Sequence, residues 1–419
     1  MIQSAPTFDA LLDSLSHNDR TLDIHSIDVM REALWQKYMG AAQADIERNG
    51  AFENGAIEYA PGKTGLFKMT TKGATPVAGY PVYIALHGGG GGPKEMNDSQ
   101  WEQMGRYYLN SIDTGIYIAP RGPNNTWNLH FDVDAIAFYG KLMTELRLLR
   151  GVDPNRIYIL GYSAGGDGVY QLGPRFADQL AAASMSAGHH NNISPDNLQH
   201  LPMILQVGEL DAAYQRNYET VKYSLLLKSL QKQFPGDFVH QVYVHAQKEH
   251  SYVQDHNGKT KMAEVIADPV AWLGDAWRQT STIAHTDAIQ WLSQFRRNPY
   301  PDHIRWNAST SLDRAKTWFW LGYEGQDNPS KLIEASFDLK KNQFSIPAPI
   351  DGIRIYFHEK MLRSDKTVML RLGEKTFEVQ PKPSLFTLAR SISERKDHGF
   401  AFWQSVLVKV DDKGKISVQ

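Results

Sequence analysis

The chain has 419 residues, too many for one compact core, so two domains are expected, one of them large. Its 42% hydrophobic and 21% charged content is ordinary for a water-soluble globular protein, and a formal net charge of −2 offers no bulk attraction to nucleic acid or an anionic membrane. There is no cysteine, which excludes disulfides, thiolate nucleophiles and cysteine-based metal sites. The N-terminal stretch lacks the basic and apolar regions of a signal peptide, and no run of residues approaches a membrane span. A cytoplasmic enzyme is the expectation, a trimmed secreted form the alternative, and no oligomeric state follows.

In chain order, Ile27, Met30, Leu34, Tyr38 and Ala42 share one helical face, which predicts a helix over 27–48 with Ser26 as N-cap and Asn49-Gly50 as stop. Short strands are expected near 57–60 and 65–71. Three continuous apolar runs follow, at 82–86, 116–119 and 157–160, the pattern of strands buried on both faces of a parallel sheet. Helices are expected at 94–110, 134–150 and 217–234, and further strands at 180–186, 203–207 and 238–244. Alternating strand and helix predicts an α/β fold, a doubly wound, mostly parallel sheet. "NPYPDH" at 298–303 reads as a linker. Beyond it the period becomes two. Ile353, Ile355 and Phe357 alternate with Arg354, Tyr356 and His358, and Val368–Leu372 turns at Gly373-Glu374 into a second strand through Phe377 and Val379. A helix at 384–395 and a strand at 400–410 complete the chain. The division expected is 1–50 as a helical segment packed on a catalytic domain, 51–298 as that domain, and 303–419 as a smaller, mostly β accessory domain.

"RIYILGYSAGGDGVY", 156–170, ends a buried strand on Gly161-Tyr162-Ser163-Ala164-Gly165 and opens a helix. A bare G-x-S-x-G is a weak pattern, and a plain glycine turn is its structural reading. Between strand and helix, however, the serine takes a strained turn that exposes its hydroxyl. A serine needs a histidine to take its proton, and that histidine needs an acid to hold its tautomer. Asp211, three residues past the strand-ending Gly208, is the candidate acid, with Glu209 as rival. His250, in the loop after the last of these strands, is the candidate base, with His245 and His256 as rivals. The spacings are short and leave little room for an inserted lid. Five glycines at 88–92, after the first buried parallel strand, free backbone amides to meet an oxyanion together with the Ala164 N–H. The Gly-Lys-Thr tripeptides at 62–64 and 258–260 lack the earlier glycine of a phosphate loop, which excludes that reading.

From about 57 to 260 the chain resembles the α/β-hydrolase superfamily. "GVDPNRIYILGYSAGG", "APRGPNNTWN" and "MSAGHHNN" look like its polyhydroxybutyrate-depolymerase-like and feruloyl/acetylxylan-esterase-like branch, with prolyl-oligopeptidase-like hydrolases nearby. The resemblance implies Ser163, Asp211 and His250 as a triad. Tyr162 departs from the hormone-sensitive-lipase branch, and Gly89 and Gly90 are taken as the oxyanion-hole glycines. Trp127, Asn128 and His130, and Tyr162 in the turn itself, are candidates to line the substrate pocket. His189-His190 reads as a polar loop, since no third ligand stands at metal spacing. Trp272, Trp277, Trp291, Trp306, Trp318 and Trp320 read as core rather than as a sugar-binding surface. The expectation is a serine hydrolase that cleaves a small-molecule or polymer-derived carboxylic ester without metal or organic cofactor and without nucleic-acid or membrane partner. Peptide or amide hydrolysis on the same triad is the nearest alternative, and a non-catalytic binding protein on a hydrolase scaffold is the other.

Overall fold

Runs of apolar side chains with no polar alternation can be buried only where both faces of a strand are covered. In the computed structural model, which describes residues 2, 5–251, 261–274, 279–285, 287–325, 329 and 332–419, those runs become the middle of a ten-stranded sheet. Its strands are β1 (Ala56–Ala60), β2 (Lys63–Lys72), β3 (Tyr80–Leu86), β4 (Gly115–Pro120), β5 (Val152–Tyr162), β6 (Ala182–Ser186), β7 (Met203–Gly208), β8 (His240–His245), β9 (Lys261–Ile266) and β10 (Thr280–His285). The spatial order is β1-β2-β4-β3-β5-β6-β7-β8-β9-β10. β3 to β8 run parallel, β2 is antiparallel to β4, and β9 and β10 close the far side as an antiparallel pair. The crossovers are α1 (Lys94–Tyr107), α2 (Val133–Leu149), α3 (Ala164–Phe176) and α4 (Arg216–Gln233). The chain steps from β3 to β4 on one side and then back to β5 on the other. This reversal opens a crevice at the carboxyl ends of β3 and β5, where a doubly wound sheet binds its ligands. Tyr83, Tyr117, Tyr158, Leu160 and Ile204 fill one face with Met104 and Tyr108 of the α1 region and with Ile289 and Trp291.

Two compact units divide the chain. One comprises Ala51–Met143 and Gly151–Asn298 and holds the large sheet. The other comprises Met1–Gly50, Thr144–Arg150 and Pro299–Gln419. The latter contains two five-stranded sheets, one of strands His303–Trp306, Ile333–Asp338, Gln343–Ile346, Val368–Leu372 and Lys375–Val379. The second is built from Thr317–Trp318, Leu321–Tyr323, Ile353–Phe357, Gln404–Val410 and Ile416–Val418. Phe344 of the first sheet lies 5.0 Å from Phe357 of the second and 5.6 Å from Trp320. Alternation in 353–357 is incomplete because Tyr356 is also buried, its ring against Phe402 and under the Arg395 guanidinium.

Residues 1–50, expected as a helical segment packed on the catalytic domain, fall in one compact unit with Thr144–Arg150 and Pro299–Gln419. Helices Phe8–His17 and Ile27–Gln43 bury Phe8, Leu11, Leu15 and Leu34, and Leu22 N–H donates to the Pro383 carbonyl at 2.8 Å. Arg31, buried in the second helix, donates to Glu359 at 2.8 Å. The helix expected to run to 48 ends at Gln43, because Asp45 accepts the Arg48 N–H and starts a new helix, Ile46–Glu53. Asn49-Gly50 lies inside that helix rather than stopping it. Trp306, Trp318 and Trp320 are buried in the β unit, Trp291 is buried beside the large sheet, and Trp272 stacks on Tyr218 at 4.9 Å. Trp277 lies outside the described residues. No helix among the described residues is long and apolar enough to cross a membrane.

Candidate active site

β5 ends in the turn that carries Ser163. Its backbone sits at φ 60°, ψ −122°, a strained conformation for a residue with a side chain, and it is held there by Ser163 N–H to Ser186 O at 2.9 Å and Asp167 N–H to Ser163 O at 3.0 Å. The flanking glycines are there for space. A Cβ on Gly161 would stand 2.2 Å from the Gly165 carbonyl oxygen, and one on Gly165 would stand 2.1 Å from that of Leu86. Helix α3 can therefore start directly against β3 and β5 only with glycine at both positions.

The loops after β7 and β8 are laced together. Glu209 N–H donates to His245 O at 2.9 Å, Leu210 N–H donates to Lys248 O at 2.8 Å, and Gln247 N–H donates to the buried Glu209 carboxylate at 2.8 Å. Glu209, the rival acid, thus secures the turn that carries His250. Asp211, nearly fully buried, accepts from His250 Nδ1 at 2.8 Å. A carboxylate only accepts, so Nδ1 carries the proton and Nε2 is left to accept from Ser163 Oγ at 2.9 Å. His245 is buried in β8 and meets Gln206 Oε1 at 3.0 Å, away from the serine. His256 lies outside the described residues.

Two residues brace this arrangement: Arg216, which the sequence did not single out, and Tyr162, which it offered for the pocket wall. Arg216 Nη1 donates to the other oxygen of Asp211 at 3.3 Å. It opens α4 after Tyr214 and Gln215, both left-handed at φ 55° and 56°. The Tyr162 hydroxyl donates to the His250 backbone carbonyl. Tyr162 therefore supports the histidine loop and faces a second cavity with Gly88, Gln100 and Ser251, rather than lining the cavity beside Ser163.

The glycine loop after β3 is clamped by Asn97 of α1. Gly90 N–H donates to Asn97 Oδ1 at 2.9 Å, and Asn97 Nδ2 donates back to Gly90 O at 3.0 Å. The Gly90 amide is thus occupied, which removes it from the pair of donors read from the sequence. Gly89, at φ 114°, lines the cavity beside Ser163 and Ala164, and a Cβ there would stand 2.2 Å from Asn97 Oδ1. His130 also departs from its expected place. It is fully buried, its Nε2 donating to the His87 carbonyl at 2.8 Å and its Nδ1 accepting from Tyr139. His87 Nε2 in turn accepts from Gly122 N–H at 3.0 Å. Burial lowers the titration of His87 to about 4 and holds His130 well below the usual histidine range, so both are neutral braces under the loop.

Beside Ser163 lies a cavity of about 350 Å³. Trp127, Phe131 and Tyr214 supply its aromatic side, with the Trp127 and Tyr214 rings 6.1 Å apart and edge to face. Asn128, Asp167, His189, Asn191 and Arg216 supply its polar side. Trp127 and Asn128, candidates from the sequence, are thus on this wall. His190 turns away and meets Glu219 at 3.0 Å. Asp167, Asn191 and Tyr214 escaped the sequence reading. Asp167 alone had a visible signal, one helical turn beyond the serine.

No protein-family model matches the chain. Over 115 residues it is 33% identical to feruloyl esterase B of Piromyces equi, a match covering 26% of this chain and 20% of that protein. The chain thus spans about a fifth of the length of this curated relative. Among solved structures, it resembles a thermostable esterase with 20% identity and a TM-score of 0.38, over 58% of this chain and 62% of the other. It also resembles a ferulic acid esterase of Anaeromyces mucronatus with 14% identity and a TM-score of 0.31, over 45% and 85%. In its own strand order, with β2 antiparallel beside a parallel sheet and a serine turn between β5 and α3, the chain has the α/β-hydrolase fold.

Proposed function

We propose that this protein is a serine hydrolase that cleaves carboxylic esters through an acyl-enzyme. The observation that carries the reading is the chain of contacts from Ser163 Oγ to His250 Nε2 at 2.9 Å and from His250 Nδ1 to Asp211 at 2.8 Å, on a strained serine turn. His250 takes the Ser163 proton as Oγ attacks the ester carbonyl carbon. The amides of Gly89 and Ala164 receive the oxygen as it becomes anionic. When the tetrahedral centre collapses, His250 passes the proton to the departing alcohol. A water molecule, deprotonated by the same histidine, then attacks the acyl-serine, and the proton returns to Ser163 as the acid leaves. Asp211 holds the tautomer, and Arg216 holds Asp211. The short match to a protein named a feruloyl esterase favours ester over amide as the scissile bond. The chemistry lies in residues 51–298, with 303–419 accessory. The test is fluorophosphonate labelling of Ser163 beside a screen of p-nitrophenyl esters, aryl esters and a dipeptidyl amide. Labelling with ester turnover supports the reading. An unlabelled protein that turns over none of these refutes it.

A further inference from the structure

The cavity beside Ser163 contains one acid with no role in the chemistry above. Asp167 stands one turn of α3 beyond the serine, about 5–6 Å along the helix axis. Its Oδ1 accepts from His189 N–H at 2.7 Å and the Asn191 side chain also hydrogen-bonds to the carboxylate, which still has room for a further donor. Arg216, the nearby cation, is already committed. Its Nη1 donates to Asp211 Oδ1 and to the Ala213 carbonyl, each at 3.3 Å. Arg216 thus holds the buried Asp211 while its charge also acts on Asp167, which is the acid facing the ligand space. His250 does not line this cavity; its backbone carbonyl accepts from Tyr162, which lines the second cavity with Gly88 and Ser251. Since His250 delivers its proton to the leaving oxygen, the alcohol departs on that side, and the acyl group occupies the cavity with Asp167.

Resting on the ester-hydrolysis reading, we infer that Asp167 is a specificity-determining residue that selects acyl groups carrying a hydrogen-bond donor, a hydroxyl or an ammonium, about two to four atoms from the carbonyl carbon. The aromatic side formed by Trp127 and Tyr214 holds the acyl chain, and Asp167 receives the donor. A carboxylate at that position meets the Asp167 charge and is rejected. Burial pushes the Asp167 carboxyl up to about 6, against the opposing pull of the His189 amide, Arg216, the His189 ring and the Asn191 side chain, so it is mainly ionised above neutral pH and able to accept.

The experiment measures kcat/KM at pH 8 for four p-nitrophenyl esters of equal acyl length, one unsubstituted and three bearing a hydroxyl, an amino group or a carboxylate three carbons out. Ratios between esters cancel any general loss of activity, and a residue that only holds the 187–192 loop would change all four alike. The wild-type protein is expected to favour the hydroxyl and amino esters over the unsubstituted one by about tenfold or more. Asp167→Asn should keep most of the hydroxyl preference and lose the amino preference, and Asp167→Ala should lose both. Equal ratios in wild type and Asp167→Ala overturn the inference. So does a wild-type preference for the carboxylate ester, which would make Arg216 the determinant. If the wild type cleaves none of the four and Ser163 takes no fluorophosphonate, ester hydrolysis itself falls, and the inference with it.

Discussion

Asn97 is where the fold and the proposed chemistry meet most directly. It is fully buried and grips Gly90 from both sides, accepting its N–H at 2.9 Å and donating to its carbonyl at 3.0 Å, with a further contact to Asn125 at 3.3 Å. Asn97→Ala removes both partners of Gly90 at once. Each buried polar group left unpaired costs about 1–3 kcal/mol, so the loss expected is about 2–4 kcal/mol once some water enters the loop. The freed Gly90 amide can then compete for the position of the Gly89 amide, and losing one oxyanion donor lowers turnover about 10²–10³-fold. Asn97→Asp keeps the acceptor but sets a carboxylate against the Gly90 carbonyl and Asn125, so it should do no better. The assay pairs urea denaturation midpoints with kcat and KM on a p-nitrophenyl ester. A fall in kcat with KM little changed is the expected signature, because the oxyanion forms only in the transition state. An Asn97→Ala protein with wild-type midpoint and wild-type kcat would refute the clamp.

Ser163→Ala and His250→Ala should each remove nearly all ester turnover, since such groups act as a unit. His245→Ala should instead keep a large share of activity while losing about 1–3 kcal/mol of stability, because its buried bond to Gln206 would be orphaned; the reverse pattern, read from kcat and melting curves, would reassign the base. For Asp167 the sign follows from its raised titration. The folded state holds the proton up to about 6 while the unfolded chain releases it near 3.8, so stability falls as pH rises through that window, by about 3 kcal/mol in all. Asp167→Asn should therefore be more stable than wild type at pH 7 and equal to it near pH 4, and a melting-temperature difference that does not change with pH would contradict this. A chain ending at residue 298 should become less soluble, because Phe8, Leu11, Leu15 and Leu34 lose the unit in which they are buried; a soluble, monomeric truncation by light scattering would show that the helices of residues 1–50 do not depend on 299–419.

What the sequence by itself determined lies where the signal is local. Continuous apolar runs at 82–86, 116–119 and 157–160 can be buried only as central strands, and those at 180–186 and 203–207 extend the same sheet. Gly161 and Gly165 mark the strand-to-helix turn because no side chain fits against the backbone there. Candidate serine, acid and histidine were legible because each follows the end of a strand. Tertiary structure decided the rest. Whether His130 faces a pocket or a brace depends on Tyr139 and the His87 carbonyl, one of them 43 residues away. Gly89 and Gly90 look alike in a run of glycines, and only Asn97 distinguishes them, because one side-chain amide can occupy only the amide it reaches. Tyr162 follows the same rule, since it bonds a carbonyl 88 residues on. The first fifty residues showed one amphipathic helix but not its partner, since an apolar stripe states that something will cover it and not what. Periodicity is a property of neighbours in the chain, whereas a hydrogen-bond partner is a property of neighbours in space, and only the folded chain brings those together.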